Sequence, residues 1–319
     1  MSQTPFVIQP RLTSIAITYR NEKMIADQVL PRVPVESQTF KYSKFTQEDA
    51  FTVPDTKVGP KSAVNEIDWT ATEATSATQD YALEDLIPGY DVQGAQAAMA
   101  AQGVMPIDPQ ARSTELITSL LELDRETRVA GTVFNATNYP AANKSTLSGT
   151  TQWSDYANSN PVTAILSAMD GMLVRPNSLV IGQAVWTILR QHPKVVQAIL
   201  GNTNNAGVVN QMQVADLLEI ENLLIGKGWS NSAKRGQTPT MARLWGKYAA
   251  LLYIDPNANS AQGAMTFGLT AQWGTRIAGT VENDPSIGMR GGTRVRVGEA
   301  VKEVITASDA GYLFSAAVA

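Results

Sequence analysis

The spacing of apolar residues predicts a long amphipathic helix in the N-terminal half of the chain. Between residues 116 and 134, leucine, isoleucine, valine and phenylalanine recur every three or four positions, as they do on the buried face of an α-helix. Asp108 is a suitable N-cap, and Pro109 suits the first helical position. We therefore predict one helix over residues 109–135, about 25 residues and about 40 Å long.

Short helices and strands alternate in the region that follows. The predicted elements are, in chain order, a helix from Pro161, a strand over 178–182, helices around 185–189 and 193–200, a helix over 211–219, a strand over 222–226 and a buried strand over 241–255 with a break near Gly246. From residue 293 onward, apolar and polar residues alternate strongly, which predicts two or three further strands. Because helix and strand alternate only in the middle section, the predicted fold class is α+β.

Residues 35–87 predict a long two-stranded excursion with little apolar surface of its own. Phe40 and Tyr42 lie on one side of the first strand, and a second alternating run places Ile67 and Trp69 on a common face. An isolated two-stranded ribbon is marginally stable at best in water. We therefore expect the excursion to need a partner surface on which to lie.

The chain of 319 residues has no cysteine and one histidine, which excludes several classes of site. A disulfide framework, a thiolate nucleophile, a cysteine-bound metal and any site with two imidazoles are all ruled out. Phosphate-binding loops and the GxSxG nucleophile motif are missing as well. His192 stands before Pro193 and is expected to be a helix-end residue. The sequence therefore predicts no enzyme activity, no cofactor and no metal.

Charge is unevenly distributed along the chain. The formal net charge is -4, which argues against a dedicated nucleic-acid binder. Residues 61–110 carry 1 basic and 8 acidic side chains, whereas residues 177–319 carry 12 and 9. One interpretation is a solvated acidic loop, and the other is complementary pairing between segments or between subunits. No apolar stretch approaches the roughly 20 residues that span a bilayer, so no membrane partner is expected.

Four stretches of the chain, taken in order, point to one family. They are TQDYALEDLIPGYD at the end of the excursion, ELDRETRVAGTVF in the long helix, NPVTAILSAMDGMLVRPNSLVIGQAVWTILRQHPKVVQAI with the strands after it, and the C-terminal run TRVRVGEAVKEVITASDAGYLFSAAVA. Together they resemble the tailed-bacteriophage major capsid proteins, whose fold is named after phage Hong Kong ninety-seven. The resemblance implies five parts: an N-terminal arm over 1–34 with a helical pattern only at 22–29, an extended β-hairpin loop over 35–87, a peripheral domain over 88–160 with the spine helix at 109–135, an axial domain over 161–275, and a return to peripheral strands over 276–319.

The resemblance also implies a structural function. A member of this family assembles with copies of itself into hexamers and pentamers of an icosahedral head that encloses double-stranded DNA without reading its sequence. Expected further partners are a separate scaffold protein, a portal and a decoration protein. The expected location is the virion capsid, after synthesis and assembly in the host cytoplasm. Two alternatives stay open: an encapsulin-like compartment shell that houses enzymes, and a soluble hydrolase with an unrecognised site.

The extended loop and the acidic segment supply the residues expected at subunit contacts. For the aromatic and apolar members the alternative is packing within their own domain. Certain relatives join a loop lysine to asparagine by an isopeptide bond, but here Lys57 and Lys61 are expected to be solvated. We also expect no cleavage of an N-terminal scaffolding segment, which the intact mass of the subunit in particles would check. The candidate contact residues are Phe40, Tyr42, Phe45, Lys57, Lys61, Ile67, Trp69, Glu84 and Asp85.

Overall fold

The computed structural model describes residues 6–19, 21, 24–44, 53, 55–59, 62–65, 72–102, 108–201, 207–234, 236–257 and 265–319. The α-helices within these ranges are α1 Pro10–Thr18, α2 Ala26–Val29, α3 Gly89–Gln102, α4 Pro109–Val133, α5 Pro161–Gly171, α6 Gln183–Leu189, α7 Pro193–Leu200 and α8 Gln211–Leu218. The β-strands are β1 Val7–Ile8, β2 Arg32–Val35, β3 Thr39–Lys44, β4 Thr72–Ala77, β5 Gln79–Pro88, β6 Lys144–Thr146, β7 Ser178–Gly182, β8 Asn222–Gly226, β9 Trp229–Asn231, β10 Met241–Arg243, β11 Ala249–Leu252, β12 Gly268–Asp284, β13 Gly292–Ile305 and β14 Gly311–Ser315.

Most strands belong to two five-stranded sheets. Sheet I has the order β1-β12-β13-β5, and β2 pairs in parallel with the first part of β12. Sheet II has the order β6-β14-β11-β7-β8. Two ribbons complete the pairing in the described ranges: β3 with β4, and β9 with β10. The mixture of helices and sheets confirms the α+β class predicted from the sequence.

Helix α4 begins and ends close to the predicted positions. The side chain of Asp108 accepts a hydrogen bond from the backbone N–H of Gln110 at 3.0 Å, and Pro109 occupies the first turn. The helix runs for 25 residues to Val133. Its N-cap and its apolar periodicity act locally, so both are visible in the sequence.

Helix α4 packs on both sheets and joins them. Ile117 and Leu121 in its N-terminal half pack in one cluster with Val295 and Val297 of sheet I. Val129 in its C-terminal half belongs instead to a cluster with strands of sheet II. One helix therefore forms part of two hydrophobic cores.

Strand β7 shows why sheet II has continuous apolar strands. All five of its residues are buried. Leu179 and Ile181 face a cluster built largely by helices α5 to α8, whereas Val180 faces the cluster that contains Val129 of α4. A strand covered on both faces needs apolar residues at successive positions rather than at alternate ones.

The strand pairing differs from the predicted partition of the chain. Residues 79–87, predicted to be part of the excursion, lie in β5, which pairs with β13 in sheet I. The first residues of β12, predicted to belong to the axial domain, also lie in sheet I, whereas β14 near the C-terminus lies in sheet II. Hydrogen bonds between segments far apart in the chain decide which sheet each strand joins. Local sequence patterns do not show these partners.

Four other elements differ from the sequence prediction. Helix α1 and helix α3 were not predicted, and β12 is a strand of 17 residues where no strand was predicted. The predicted strand over 241–255 is two strands, β10 and β11, in different sheets. Gly246 between them has φ +47°, a left-handed conformation that turns the chain.

Candidate assembly surfaces

The N-terminal segment is fixed to α4 by a buried carboxylate. Glu126 accepts hydrogen bonds from the backbone N–H groups of Ile25, at 3.0 Å, and Ala26, at 2.8 Å. It also accepts one from the indole Nε1 of Trp245, at 2.6 Å. Burial raises the pKa of Glu126, and these donors oppose the rise. A single carboxylate therefore joins three distant parts of the chain.

Arg125, the neighbour of Glu126, joins α4 to sheet I. Its guanidinium donates to the carbonyl of Leu30 at 3.2 Å and to the hydroxyl of Thr270 at 3.0 Å, and it forms an ion pair with Asp27. Burial lowers the pKa of Arg125 to about 10, so the side chain is charged at neutral pH. A buried charge with several partners fixes one relative position of the groups that it contacts.

A second ionic cluster holds α1 and β2 against β12 and β13. Arg276 donates to the carbonyl of Ala16 at 2.9 Å and forms an ion pair with Glu299 at 3.0 Å. Arg32 of β2 approaches the same Glu299 at 2.8 Å. Burial on its own would raise the pKa of Glu299, but Arg32 and Arg276 hold it below its ordinary value. Residues of the predicted arm are thus bonded to the body of their own chain.

Two of the predicted contact residues pack within their own chain. Phe40 is 7% exposed and lies in a cluster with Leu269 and Val304 of sheet I. Tyr42 is half-buried against that cluster, with its ring centroid 6.0 Å from that of Phe40. Both residues therefore match the alternative of packing on their own domain. They fix the base of the β3–β4 ribbon on sheet I.

The outer part of the predicted loop is described only in places. Lys57 is exposed, and its backbone N–H donates to Oδ1 of Asp55 at 3.0 Å. Val53 is also exposed. The four other loop candidates lie outside the described residues, and they are Phe45, Lys61, Ile67 and Trp69.

The acidic candidates on β5 are bonded to their own chain. Glu84 forms ion pairs with Arg294 at 3.4 Å and with Arg296 at 2.9 Å. Asp85 accepts a hydrogen bond from the hydroxyl of Ser113, on α4, at 2.7 Å. The complementary charges seen in the sequence thus meet between two strands of one subunit, which is the pairing between segments.

An apolar surface lies where β5 meets α4. In the described ranges β5 pairs on one side only, with β13, so its other edge carries free backbone groups. Leu83 on this strand is exposed and lies on the same face as Asp85, which contacts α4. Leu116 and Leu120, one turn apart on α4, are 58% and 54% exposed. We call Leu83, Leu116 and Leu120 the edge surface.

The edge surface was not predicted, although the sequence contains a signal for it. Leu116 and Leu120 belong to the apolar pattern that was interpreted as the buried face of the helix. The structure buries Ile117 and Leu121 and exposes these two. The sequence therefore indicated the edge surface only by the width of the apolar stripe on α4, because a stripe this wide is more than one packing contact can cover.

His192 caps a helix and is unsuited to act as a base. Its Nδ1 accepts a hydrogen bond from the backbone N–H of Lys194 at 3.2 Å, at the start of α7, as expected of a helix-end residue. In the neutral ring the proton is then on Nε2, which lies 3.0 Å from the hydroxyl of Ser159. Burial lowers the pKa of His192, which favours this neutral form. A ring that donates to the serine does not take its proton, so the pair does not activate a nucleophile.

The described residues contain no group of three or more histidine, aspartate and glutamate side chains arranged to hold a metal ion. None of the helices in these ranges has the length and apolar character required to cross a bilayer.

The comparisons with known proteins identify the family. A family model described as "Phage major capsid protein E" matches residues 123–240. A major capsid protein of Pseudomonas phage JBD67 is 48% identical over 319 residues and is covered along its whole length, as is this chain. The chain belongs to the phage major capsid proteins. Proteins of this family are named as structural shell components, which agrees with the prediction of a non-enzyme.

Solved structures confirm the capsid fold. A phage-related protein from Bordetella bronchiseptica RB50 is 22% identical, covers 98% of each chain and has a TM-score of 0.77. The capsid of cyanophage P-SCSP1u is 12% identical, covers 93% of this chain and 89% of its own, and has a TM-score of 0.57. The resemblance that the sequence suggested to the Hong Kong ninety-seven type fold is confirmed. A full-length match to a phage protein also favours a phage head over a compartment shell.

Proposed function

We propose that this capsid protein assembles into hexamers and pentamers of an icosahedral phage head that encloses double-stranded DNA. The observation that carries the proposal is the 48% identity to a phage major capsid protein over the full length of both chains. A net charge of -4 is suited to such a container, because a strongly basic inner wall would hold phosphates and impede packing of DNA.

The internal contacts of the subunit support a role as a rigid building block. Helix α4 takes part in the cores on both sheets, and Glu126 and Arg125 tie the N-terminal segment to it. In a shell made of many copies, any deviation in the shape of the subunit is repeated in every copy. A subunit with one fixed shape therefore favours closed symmetry. We infer that sheet I with the N-terminal half of α4 is the peripheral domain, and that sheet II with α5 to α8 is the axial domain.

The β3–β4 ribbon and the edge surface are suited to contact each other between copies. Strands β3 and β4 pair only with each other in the described ranges, and Phe40 anchors their base. A neighbour's ribbon lying along β5 would meet its free backbone groups and cover Leu83, Leu116 and Leu120. The binding between two copies through such a contact is weak by itself, but the contact is repeated around closed rings and the assembly as a whole is held much more strongly.

Other components complete the proposed head. A separate scaffold protein, a portal and a decoration protein are the expected partners, and the site of assembly is the host cytoplasm. None of these is required for the subunit to have the contacts described above. Expression of the capsid protein with and without its scaffold would separate their effects.

Electron microscopy tests the proposed function most directly. We expect the purified subunit, alone or with its scaffold, to form closed icosahedral shells in negative stain, and particles from infected cells to contain double-stranded DNA. Shells that hold protein cargo and lack DNA would instead indicate a compartment. A chain that stays monomeric with its scaffold present would contradict the proposal.

A further inference from the structure

One face of sheet I, which the β3–β4 ribbon covers at one end and which is otherwise open among the described residues, carries an apolar groove. Val295 and Val297 of β13 point towards α4, so the alternate residues of the strand point the opposite way. The strand register places Ala300 beside Asp80 and Trp273 on that open face. The groove between these strands has a volume of about 510 Å³.

The groove has a floor of small residues and aromatic walls. Gly298 and Ala82 are paired neighbours and line its base. Trp273, which is 43% exposed, stands on one side, and Phe6 stands on another with the guanidinium of Arg296 5.2 Å from its ring. An apolar recess with aromatic walls is the kind of site that accepts a large apolar side chain of a protein partner.

The rim of the groove carries a negative charge that has no partner among the described residues. Asp80 is exposed, and among the described residues it has no ion pair or side-chain hydrogen bond, in contrast to Glu84 four positions further along β5. A partner that places an apolar side chain in the groove and a cation beside it would match both features.

The turn between β12 and β13 presents such a pair of residues. Met289 is 94% exposed, and the next residue, Arg290, is exposed and has no acidic partner in the part of the chain that the structure describes. This is a well-formed turn, because Asp284 accepts from the backbone N–H of Ser286 at 2.8 Å and Ile287 is buried. The ordered turn therefore holds the side chain of Met289 in an exposed position.

We propose that Met289 of one subunit inserts into the groove of a neighbouring copy, where Arg290 pairs with Asp80. The proposal rests on the proposed function, since it requires an assembly of copies. The groove of the same chain is out of reach, because Ala300 and Gly292 are eight residues apart on β13, about 26 Å in a strand. The contact joins two different patches, so it is head-to-tail, and such a contact builds a ring when its rotation closes.

Engineered cysteines test this contact on assembled particles. The natural chain has no cysteine, so Met289→Cys with Ala82→Cys introduces the only thiols. A disulfide forms only when two Cβ atoms lie about 4 Å apart, so oxidised particles should give a ladder of dimers and larger oligomers on a non-reducing gel. Each single variant should stay monomeric on the gel.

Three results would overturn the contact. A double variant that stays monomeric in oxidised particles would do so, and so would dimers from Met289→Cys alone, which would mean that two turns meet each other. A Val53→Cys and Ala82→Cys pair that cross-links in place of the first pair would assign the groove to the loop of a neighbour. Failure of the wild-type chain to form particles would count against the proposed function instead.

A charge exchange decides the question if the cysteine variants do not assemble. Arg290→Glu and Asp80→Arg should each lower the yield of particles by about fivefold or more, because a weak pair is repeated over the shell. The two changes together should restore the yield. If the double variant assembles no better than the single variants, the pairing of Arg290 with Asp80 is wrong.

Discussion

The indole Nε1 of Trp245 donates a hydrogen bond of 2.6 Å to Oε1 of Glu126, and both side chains are fully buried. Glu126 lies on α4, and Trp245 lies in the segment of the chain that joins β10 to β11. The same carboxylate holds the backbone of Ile25 and Ala26. The bond therefore connects the N-terminal segment, the long helix and the second sheet at one point.

Removal of this carboxylate should destabilise the subunit strongly. Glu126→Ala leaves three buried donors without an acceptor, and each such group costs about 1–3 kcal/mol. We expect a loss of about 3 kcal/mol or more in the free energy of unfolding, measured by urea denaturation of the unassembled subunit. Glu115→Ala on the exposed side of the same helix is the control and should stay within about 0.5 kcal/mol. Equal effects of the two changes would show that the bonds of Glu126 add nothing.

The raised pKa of Glu126 predicts a particular pH dependence. The native state binds this proton more tightly than the unfolded state, so the contribution of Glu126 to stability falls as pH rises from its ordinary pKa through the raised value. Glu126→Gln cannot titrate and should remove that slope. Unfolding free energies measured from about pH 4 to neutrality would check this. A slope that is the same in both proteins would contradict it.

Asp284 should show the opposite dependence on pH. Hydrogen bonds from Ser286 and Arg294 hold its pKa down at about 2. Its contribution is therefore complete above its ordinary pKa of about 4 and is lost as pH falls towards 2. Asp284→Asn should reduce the acid-induced loss of stability in that window. Titration of the Asp284 carboxyl by NMR would measure the pKa directly, and an ordinary value would refute the prediction.

Gly226 leaves no room for a side chain beside Trp245. A Cβ atom at Gly226 would lie 2.0 Å from Cγ of the indole, so Gly226→Ala must displace Trp245 from Glu126. We expect a loss of about 1–3 kcal/mol or more, seen as a lower Tm. Gly94→Ala in helix α3, where a Cβ meets nothing within 4 Å, is the matched change and should stabilise by up to about 1 kcal/mol.

The edge surface should matter for assembly and leave the fold intact. Leu120→Asp places a charge on a half-exposed position of α4, so the unassembled subunit should keep its Tm within a few degrees. If a neighbour covers this surface, particle formation measured by sedimentation should fall sharply, because a buried unpaired charge is costly. Leu120→Met should assemble normally. Normal shells from Leu120→Asp would remove the edge surface from the contact.

Several elements could be predicted because their causes are local. The cap at Asp108, the proline at position 109 and the apolar repeat of α4 act over a few residues, and the continuous apolar run of β7 shows directly that it is covered on both faces. Helix α3 was missed because the run GYDVQGAQAAMAAQ has no apolar periodicity. Strand β12 was missed because Gly274 and a register shift after Trp273 interrupt its alternation.

The sequence by itself determined the α+β class, the long capped helix, the absence of thiol chemistry and the resemblance to phage capsid proteins. Only the tertiary structure decided that β5 and β12 share a sheet, that β14 crosses to the other one, and that Glu84 meets Arg294 and Arg296 in its own subunit. The exposure of Leu116, Leu120 and Met289 was decided there as well. The physical reason is that caps and periodicity act between near neighbours, whereas sheet order, ion pairs and exposed surfaces depend on residues that the chain brings together from far apart.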